Sequence, residues 1–484
     1  MAYIYGNREQ ITFLPDTIEN HITKEDPVRI YDAFIDAIPN KELGIVLNEN
    51  AVGNASYDPI TMLKIVVYGY SYGWRSSRKL ERALYHNLSF IWLAGGLKPD
   101  HKTISKFRSE NKEILKNVLK QCARMCVKLG LIDGNILFVD GSKFRGNAGK
   151  NQTKTVATWE KYRAHVEQRI EELLEECQKI DEEEKEKDSL VKINKELNSK
   201  EKLKTKIDQL LQEIQASASE SKGEEKINGT DRDCQIMKGR QGSHTGYNGQ
   251  IVTDDVHGLI VSADITTSKN DLNQLKKQIE KAEETLEKPA ENVCADAGYS
   301  SVEDIKPLLD EGKTVIVPNN KQAQKEPRED RFGKNAFTYN PDKDTYTCPS
   351  GEEMYRCQYR KERNRIEYRM KTPSVCKRCI HFGECTSSDM GRRIYRLIHE
   401  EIKEKLEKAY ESEKGQEIYA KRKMRVEHPF GHIKRNLGAG AFLLRGLAGV
   451  NAELSILGTC FNIARMITIM GGVRPLLENL KQIG

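Results

Sequence analysis

Three carboxylates stand out by their settings. Asp140 closes the apolar run in "NILFVDGSKF", Asp296 closes that in "ENVCADAGYSS", and Glu427 is the single acid in "MRVEHPFGHIKR". Around Glu427 stand Arg425, His428, His432, Lys434 and Arg435. A short apolar run ending in aspartate is the pattern of a buried strand that delivers a carboxylate at its C-terminal end. In α/β sheets functional groups gather at the carboxyl ends of strands, so two such aspartates can share one site. Carboxylates that close repel unless a cation lies between them, and Mg²⁺ favours such a hard-oxygen, few-ligand setting. A third carboxylate completes a site for two metals about 3.5–4 Å apart, serving the attacking and leaving oxygens of a phosphodiester. Glu427 is the candidate, with basic neighbours suited to nucleic-acid phosphates. A surface ion pair is the plainer alternative for Glu427, and each aspartate taken alone is a common turn or cap residue.

Such residues need elements to position them. Residues 1–130 read as helical. "DPITMLKIVVYGYSYG" opens with Asp58-Pro59, a cap and first-turn pair. "SSRKLERALYHN" follows with serine caps, and Ile114, Leu115, Val118, Leu119, Cys122 and Met125 recur at helical spacing. Short helices with basic faces suit a helix-turn-helix reader of DNA and equally a plain bundle. After Gly134 come the strand ending at Asp140 and a hairpin of "YNGQIVTD" and "GLIVSADIT" around Val256-His257-Gly258. An amphipathic helix, "KNDLNQLKKQIEKAEETL", leads to the strand ending at Asp296 and then to "KTVIVPN". Strand, hairpin, helix, strand, helix, strand is the order of a ribonuclease H-like α/β core, assigned to 131–158 and 226–318.

Two insertions interrupt that order. In 159–225, Val166, Ile170, Leu173, Cys177 and Ile180, then Leu203, Ile207, Leu210 and Ile214, form short heptad seams. An antiparallel helical hairpin with a polar break near "DEEEKEKDS" is expected, a solvated charged helix being the alternative. The segment 319–390 is polar and cysteine-rich. "CKRC" with "TCPSG" and a further cysteine could place Cys348, Cys376, Cys379 and Cys385 around one structural Zn²⁺; reduced thiols in a loop are the alternative. Residues 391–484 then form a helical part carrying Glu427. Pro429 disfavours helix at His428, which predicts a kink or a helix start at Glu427.

Bulk properties set limits. The 484 residues are 38% hydrophobic and 31% charged, with formal net charge +6 and mean hydropathy −0.66. A polyanionic partner must therefore be argued from clustered charge. The N-terminus lacks the layout of a signal peptide. "AELSILGTCFNIARMITIM" is broken by Glu453, Asn462 and Arg465 and reads as a buried helix, so no membrane partner is expected. Eleven cysteines without an export signal suit a reducing cytosol.

With these pieces in place the sequence resembles the DDE transposases of bacterial insertion sequences of the IS-four and IS-five types. The matching stretches are "FVDGSKFRGNAGK", "TDRDCQIMKGRQGSHTGYNGQ", "CADAGYSS" and "YAKRKMRVEHPFGHIKRN", with "PDHKTISKFR" similar to their N-terminal DNA-binding domain. The resemblance implies Asp140, Asp296 and Glu427 as the triad that binds Mg²⁺ or Mn²⁺. It also implies DNA contacts from Lys143, Tyr419, Arg422, Lys434 and Arg435. Partners would be double-stranded DNA, both terminal inverted repeats and target, and a second copy of the chain; the location would be cytoplasmic, at the nucleoid. The family's last motif sets three residues between its arginine and glutamate, whereas four separate Arg422 from Glu427 here. Either the helix register differs or Lys423 takes the arginine's place.

Three rival readings differ in class. His428 and His432 beside Glu427 superficially suggest a zinc hydrolase helix, but glutamate does not follow the first histidine as that motif requires. A decayed transposase that only binds DNA, and a nuclease that cuts without joining, are the others.

Overall fold

A computed structural model describes residues 17–46, 56–182, 187–217, 226–239, 242–319, 322, 331–361 and 365–483. The chain divides into two compact units. The first comprises Met1–Asp271, Lys277–Ala290 and Arg422–Gly484, the second Leu272–Lys276 and Glu291–Lys421.

The first unit begins with helices α1 (Val28–Asp36), α2 (Asn40–Leu43), α3 (Pro59–Ser71), α4 (Ser77–His86), α5 (Leu88–Leu93), α6 (His101–Glu110) and α7 (Lys112–Lys128). The expected cap at α3 forms: the Asp58 carboxylate accepts from the Thr61 amide at 2.8 Å, with Pro59 in the first turn. At α4, by contrast, Ser76 makes no side-chain cap bond. All six periodic residues of α7 are buried.

Strand β1 (Ile136–Arg145) is followed by β2 (Thr153–Thr155), the helices α8 (Val156–Glu182) and α9 (Lys187–Ser217), and β3 (Lys226–Asn228). The helices pair as expected, and Val166, Ile207, Leu210 and Leu211 bury one seam with Trp159. The side chains of Cys177 and Ile180, and residues 183–186 of the polar break, lie outside the described residues. Three more strands lie in one sheet with β1: β4 (Gln235–Gly239), β5 (Gly242–Asp254) and β6 (Ile260–Thr266). β5 pairs antiparallel with β1, β4 and β6. That central place explains why its residues from Thr245 to Asp254 are buried without alternation. Helix α10 (Leu275–Leu286) follows.

In the second unit β7 (Asn292–Cys294) and β8 (Thr314–Ile316) run parallel, joined through α11 (Val302–Asp310). The cysteine-rich insertion is a five-stranded antiparallel sheet of β9 (Thr338–Asn340), β10 (Thr345–Thr347), β11 (Glu353–Arg360), β12 (Arg365–Arg369) and β13 (Arg393–Leu397). The short α12 (Ser374–Lys377) lies between β12 and β13, and α13 (Glu400–Glu411) follows them.

Helix α14 (Glu413–Gly431) carries the chain back to the first unit, where α15 (Gly446–Ile469) and α16 (Val473–Ile483) end it. By length and composition α15 could cross a membrane, but 78% of its most apolar window is buried in protein. It packs on α7, α3 and β6 as the expected core helix.

Candidate active site

Asp140 does not end its strand. β1 runs on to Arg145, and Asp140 sits mid-strand opposite Ile251 of β5. The expectation of a strand-end carboxylate fails because the polar "GSKF" continues the ladder against the glycine-rich "GYNG" of β5. Gly246 there leaves no room for a side chain, since a Cβ would meet the Phe144 carbonyl oxygen at 2.0 Å. Gly141 is similarly forced: a Cβ would lie 2.4 Å from Asp271 Oδ1 and 2.5 Å from Gln250 Nε2. Asp271 is the neighbour that sequence reasoning missed, hidden in the polar "SKNDLNQ". Its carboxylate accepts from Asn248 and Gln250, each at 2.7 Å, and stands 3.7 Å from Lys143 Nζ.

Glu427 lies inside α14 and not at its start. Pro429 is also within the helix, which ends two residues later and passes directly into a π-helical turn, His432–Asn436. The buried stripe Val426, Phe430, Ile433 and Leu437 overrides the local preference of the proline. π segments recur at functional sites. Glu427 is exposed, and among the described residues its carboxylate has no ion-pair or hydrogen-bond partner. Among the described residues the surface ion pair is therefore not formed.

The residues flanking Glu427 do reach β1. Arg422 Nη1 stands 3.8 Å from Asp140 Oδ1. Lys434 Nζ donates to Ser142 Oγ at 2.5 Å and to the Lys143 carbonyl at 2.9 Å, and it lies 4.4 Å over the Phe144 ring. Arg435 is exposed. The two histidines serve packing: His428 and His432 each set a ring edge-on to Phe461 at 5.5 Å. Burial lowers both imidazole pKa values.

In the second unit Asp296 lies just past β7. It caps the turn Ala297–Tyr299 by accepting from the Gly298 amide at 2.8 Å. Tyr419 packs edge-on against Tyr410 at 5.0 Å. Cys348, Cys376, Cys379 and Cys385 line one cavity of about 570 Å³ together with His381. Burial, reinforced by the other three thiols, raises the Cys385 pKa, against the pull of Arg392. Among the described residues no three His, Cys, Asp or Glu are grouped closely enough to hold a metal ion. A shared cavity, and not a formed tetrahedral site, connects the four cysteines.

Two family models match the chain. Residues 16–110 match a transposase domain (DUF772), and residues 347–467, which include Glu427, match a transposase DDE domain. Both matches are to transposase domains, the second of the DDE type. Asp140 and Asp296 lie outside both matched stretches. No curated protein matches the chain. Among solved structures, a piggyBac transposase synaptic complex with hairpin DNA is similar with TM-score 0.34 and 10% identity. The similarity covers 95% of this chain and 79% of that one; a likeness so distant carries no argument about fold or function.

Proposed function

We propose that this chain cuts DNA at the ends of its insertion sequence and joins the 3′-OH ends to target DNA, with Asp140, Asp296 and Glu427 as the reacting centre. The observation that carries the reading is the bracketing of Glu427. Arg422 before it reaches Asp140, and Lys434 after it is bonded to Ser142 and Lys143, so one segment is fixed to one strand from both sides. The carboxylate between these anchors, without a partner among the described residues, has the character of a group kept for a ligand. An antiparallel β6-β5-β1 arrangement and a parallel β7–β8 pair are parts that a ribonuclease H-like core requires. They support that fold assignment.

The donor set is carboxylate oxygen, which suits Mg²⁺ or Mn²⁺ and not a soft metal. Bound there, a pair of such ions would activate the attacking oxygen and stabilise the leaving oxygen of the phosphodiester. The chain's own residues supply the rest. Lys434 holds β1 against the Glu427 segment as a positioning residue, Arg422 balances the Asp140 charge, and exposed Arg435 offers a phosphate contact. The partners in this reading are duplex DNA and a second copy of the chain, at the nucleoid.

The test is Glu427→Gln, which keeps size and removes charge. Cleavage and strand transfer should fall by at least about two orders of magnitude while affinity for duplex DNA persists or rises. Near-normal strand transfer by this variant would reject the assignment. Wild-type protein that binds DNA but never cuts it would favour the binding-only reading.

A further inference from the structure

The five-stranded sheet of the second unit has two unlike faces. One carries the buried cluster of Met354, Tyr368 and Ile394 with Phe337, Tyr346 and Met370. Residues directly opposite on paired strands share a face, so the register assigns the other face. Arg369 stands between Tyr355 and Arg393, Glu367 opposite Tyr395, and Arg365 opposite Arg360. A bulge between Arg356 and Gln358 keeps β11 in step across the sheet.

This face carries four arginines and two carboxylates, and Glu353 at its edge is taken by Lys343 at 3.3 Å and by the Tyr355 hydroxyl at 3.0 Å. Glu367, its side chain 3% exposed, holds Arg360 at 3.1 Å and Arg393 at 3.6 Å. Arg365 lies 3.8 Å over the Tyr395 ring, and Lys371 lies 4.2 Å over Tyr355. Among the described residues Arg365 and Arg369 make no ion pair. Like charges placed directly opposite each other destabilise a sheet. This sheet has two such pairs, Arg360 with Arg365 and Arg369 with Arg393. Glu367 offsets one arginine of each pair, Arg360 and Arg393, which leaves Arg365 and Arg369 as the charges that folding does not use and an anionic ligand could. The aromatic rings beneath two of the cations hold them in place and are chemically suited to a nucleic-acid surface.

We propose that this face binds the phosphate backbone of DNA, away from the reacting carboxylates. The proposal rests on the transposase reading for the source of the DNA, and on the charge pattern for the site. Its test uses the full chain, a labelled mixed-sequence duplex, and buffer with chelator, so that binding is read without cleavage. In Arg365→Gln with Arg369→Gln, affinity at moderate salt should fall by about fivefold or more. The slope of log affinity against log salt should become shallower by about 1.8, two phosphate contacts' worth. The paired Arg→Lys variant should keep the slope, which separates charge from packing. Unchanged affinity and slope in the glutamine variant, or an equal loss in the lysine variant, would overturn the site. Displacement of the duplex by poly-glutamate of equal charge as readily as by DNA would reassign the face to acidic protein. Failure of Glu427→Gln to lose cleavage touches the catalytic reading alone, and failure here touches this surface alone.

Discussion

Glu453 and Glu427 are both helix-borne glutamates in the first unit, and they are treated in opposite ways. Glu453 on α15 is fully buried. Its carboxylate takes Arg75 Nη1 at 2.9 Å and the backbone amides of Leu443 and Leu444 at 2.8 and 2.9 Å. Arg75 in turn donates to the carbonyls of Ala441 and Gly438, so one guanidinium fixes the loop ahead of α15. Glu427 is exposed and has no such partner among the described residues. A buried charge must be satisfied locally or the fold does not persist, whereas a carboxylate meant for a ligand is left open. The difference separates a glutamate that builds the molecule from one available for chemistry.

The largest expected effect comes from breaking the satisfied side. Arg75→Met leaves Glu453 buried without its cation and should cost about 3–5 kcal/mol of stability, the usual range for one partner of a buried pair. The sign with pH follows from burial. Burial already raises the Glu453 pKa, against the opposing pull of the Leu444 amide, Arg75 and the Leu443 amide. Losing Arg75 raises it further. A raised folded pKa contributes stability below the unfolded value and loses it as pH rises through the folded one. The deficit of Arg75→Met should therefore be smallest in acid and grow as pH rises. Chemical denaturation across pH checks this, and a deficit that shrinks with rising pH would contradict it.

Asp264 on β6 sharpens the comparison at intermediate size. Burial would raise its pKa, but Lys281 at 2.6 Å and Lys277 at 2.9 Å outweigh burial and hold it at about 2. A depressed pKa contributes stability above the unfolded value, lost as pH falls from about 4 to about 2. Asp264→Asn should lower stability near neutral pH by about 2 kcal/mol and flatten the acid limb in that window. An acid limb that keeps its steepness would show that other carboxylates govern it.

How much of this could be read in the sequence depends on how local the signal is. The Asp58-Pro59 cap, the α7 stripe, the hairpin at 256–258 and the α8–α9 seam all rest on neighbours within a few residues, and each appears in the structure. The run of Asp140 past the strand's apolar part depends on β5, more than a hundred residues away. Pro429 inside α14 depends on the buried stripe on both sides of it. Asp271 and the Arg75–Glu453 pair are long-range partners with no local periodicity. The five-stranded sheet hid behind its own composition: "YRCQYR" and "RIEYR" alternate, but the exposed positions carry arginines that read as a polar loop. CxxC spacing and the turns after it bring Cys376, Cys379 and Cys385 together locally, whereas Cys348, just past β10, reaches them only through that sheet.

The smallest expected effect is the most discriminating. If Glu427 were a structural residue, removing its charge would cost stability, as a broken pair or a lost hydrogen bond does. Nothing among the described residues pairs with it, and it stands in a segment rich in bases, so its charge contributes at most weak, screened attraction. Glu427→Gln should therefore leave thermal and chemical stability within about 0.5 kcal/mol of wild type, the range for surface changes away from special features. Measured beside Arg75→Met under the same conditions, the two substitutions should bracket the molecule's tolerance. A loss above about 1.5 kcal/mol for Glu427→Gln would show a partner that the fold depends on and would move this glutamate to the side of Glu453. A null effect on stability, with cleavage abolished in the same preparation, leaves chemistry as what Glu427 is for.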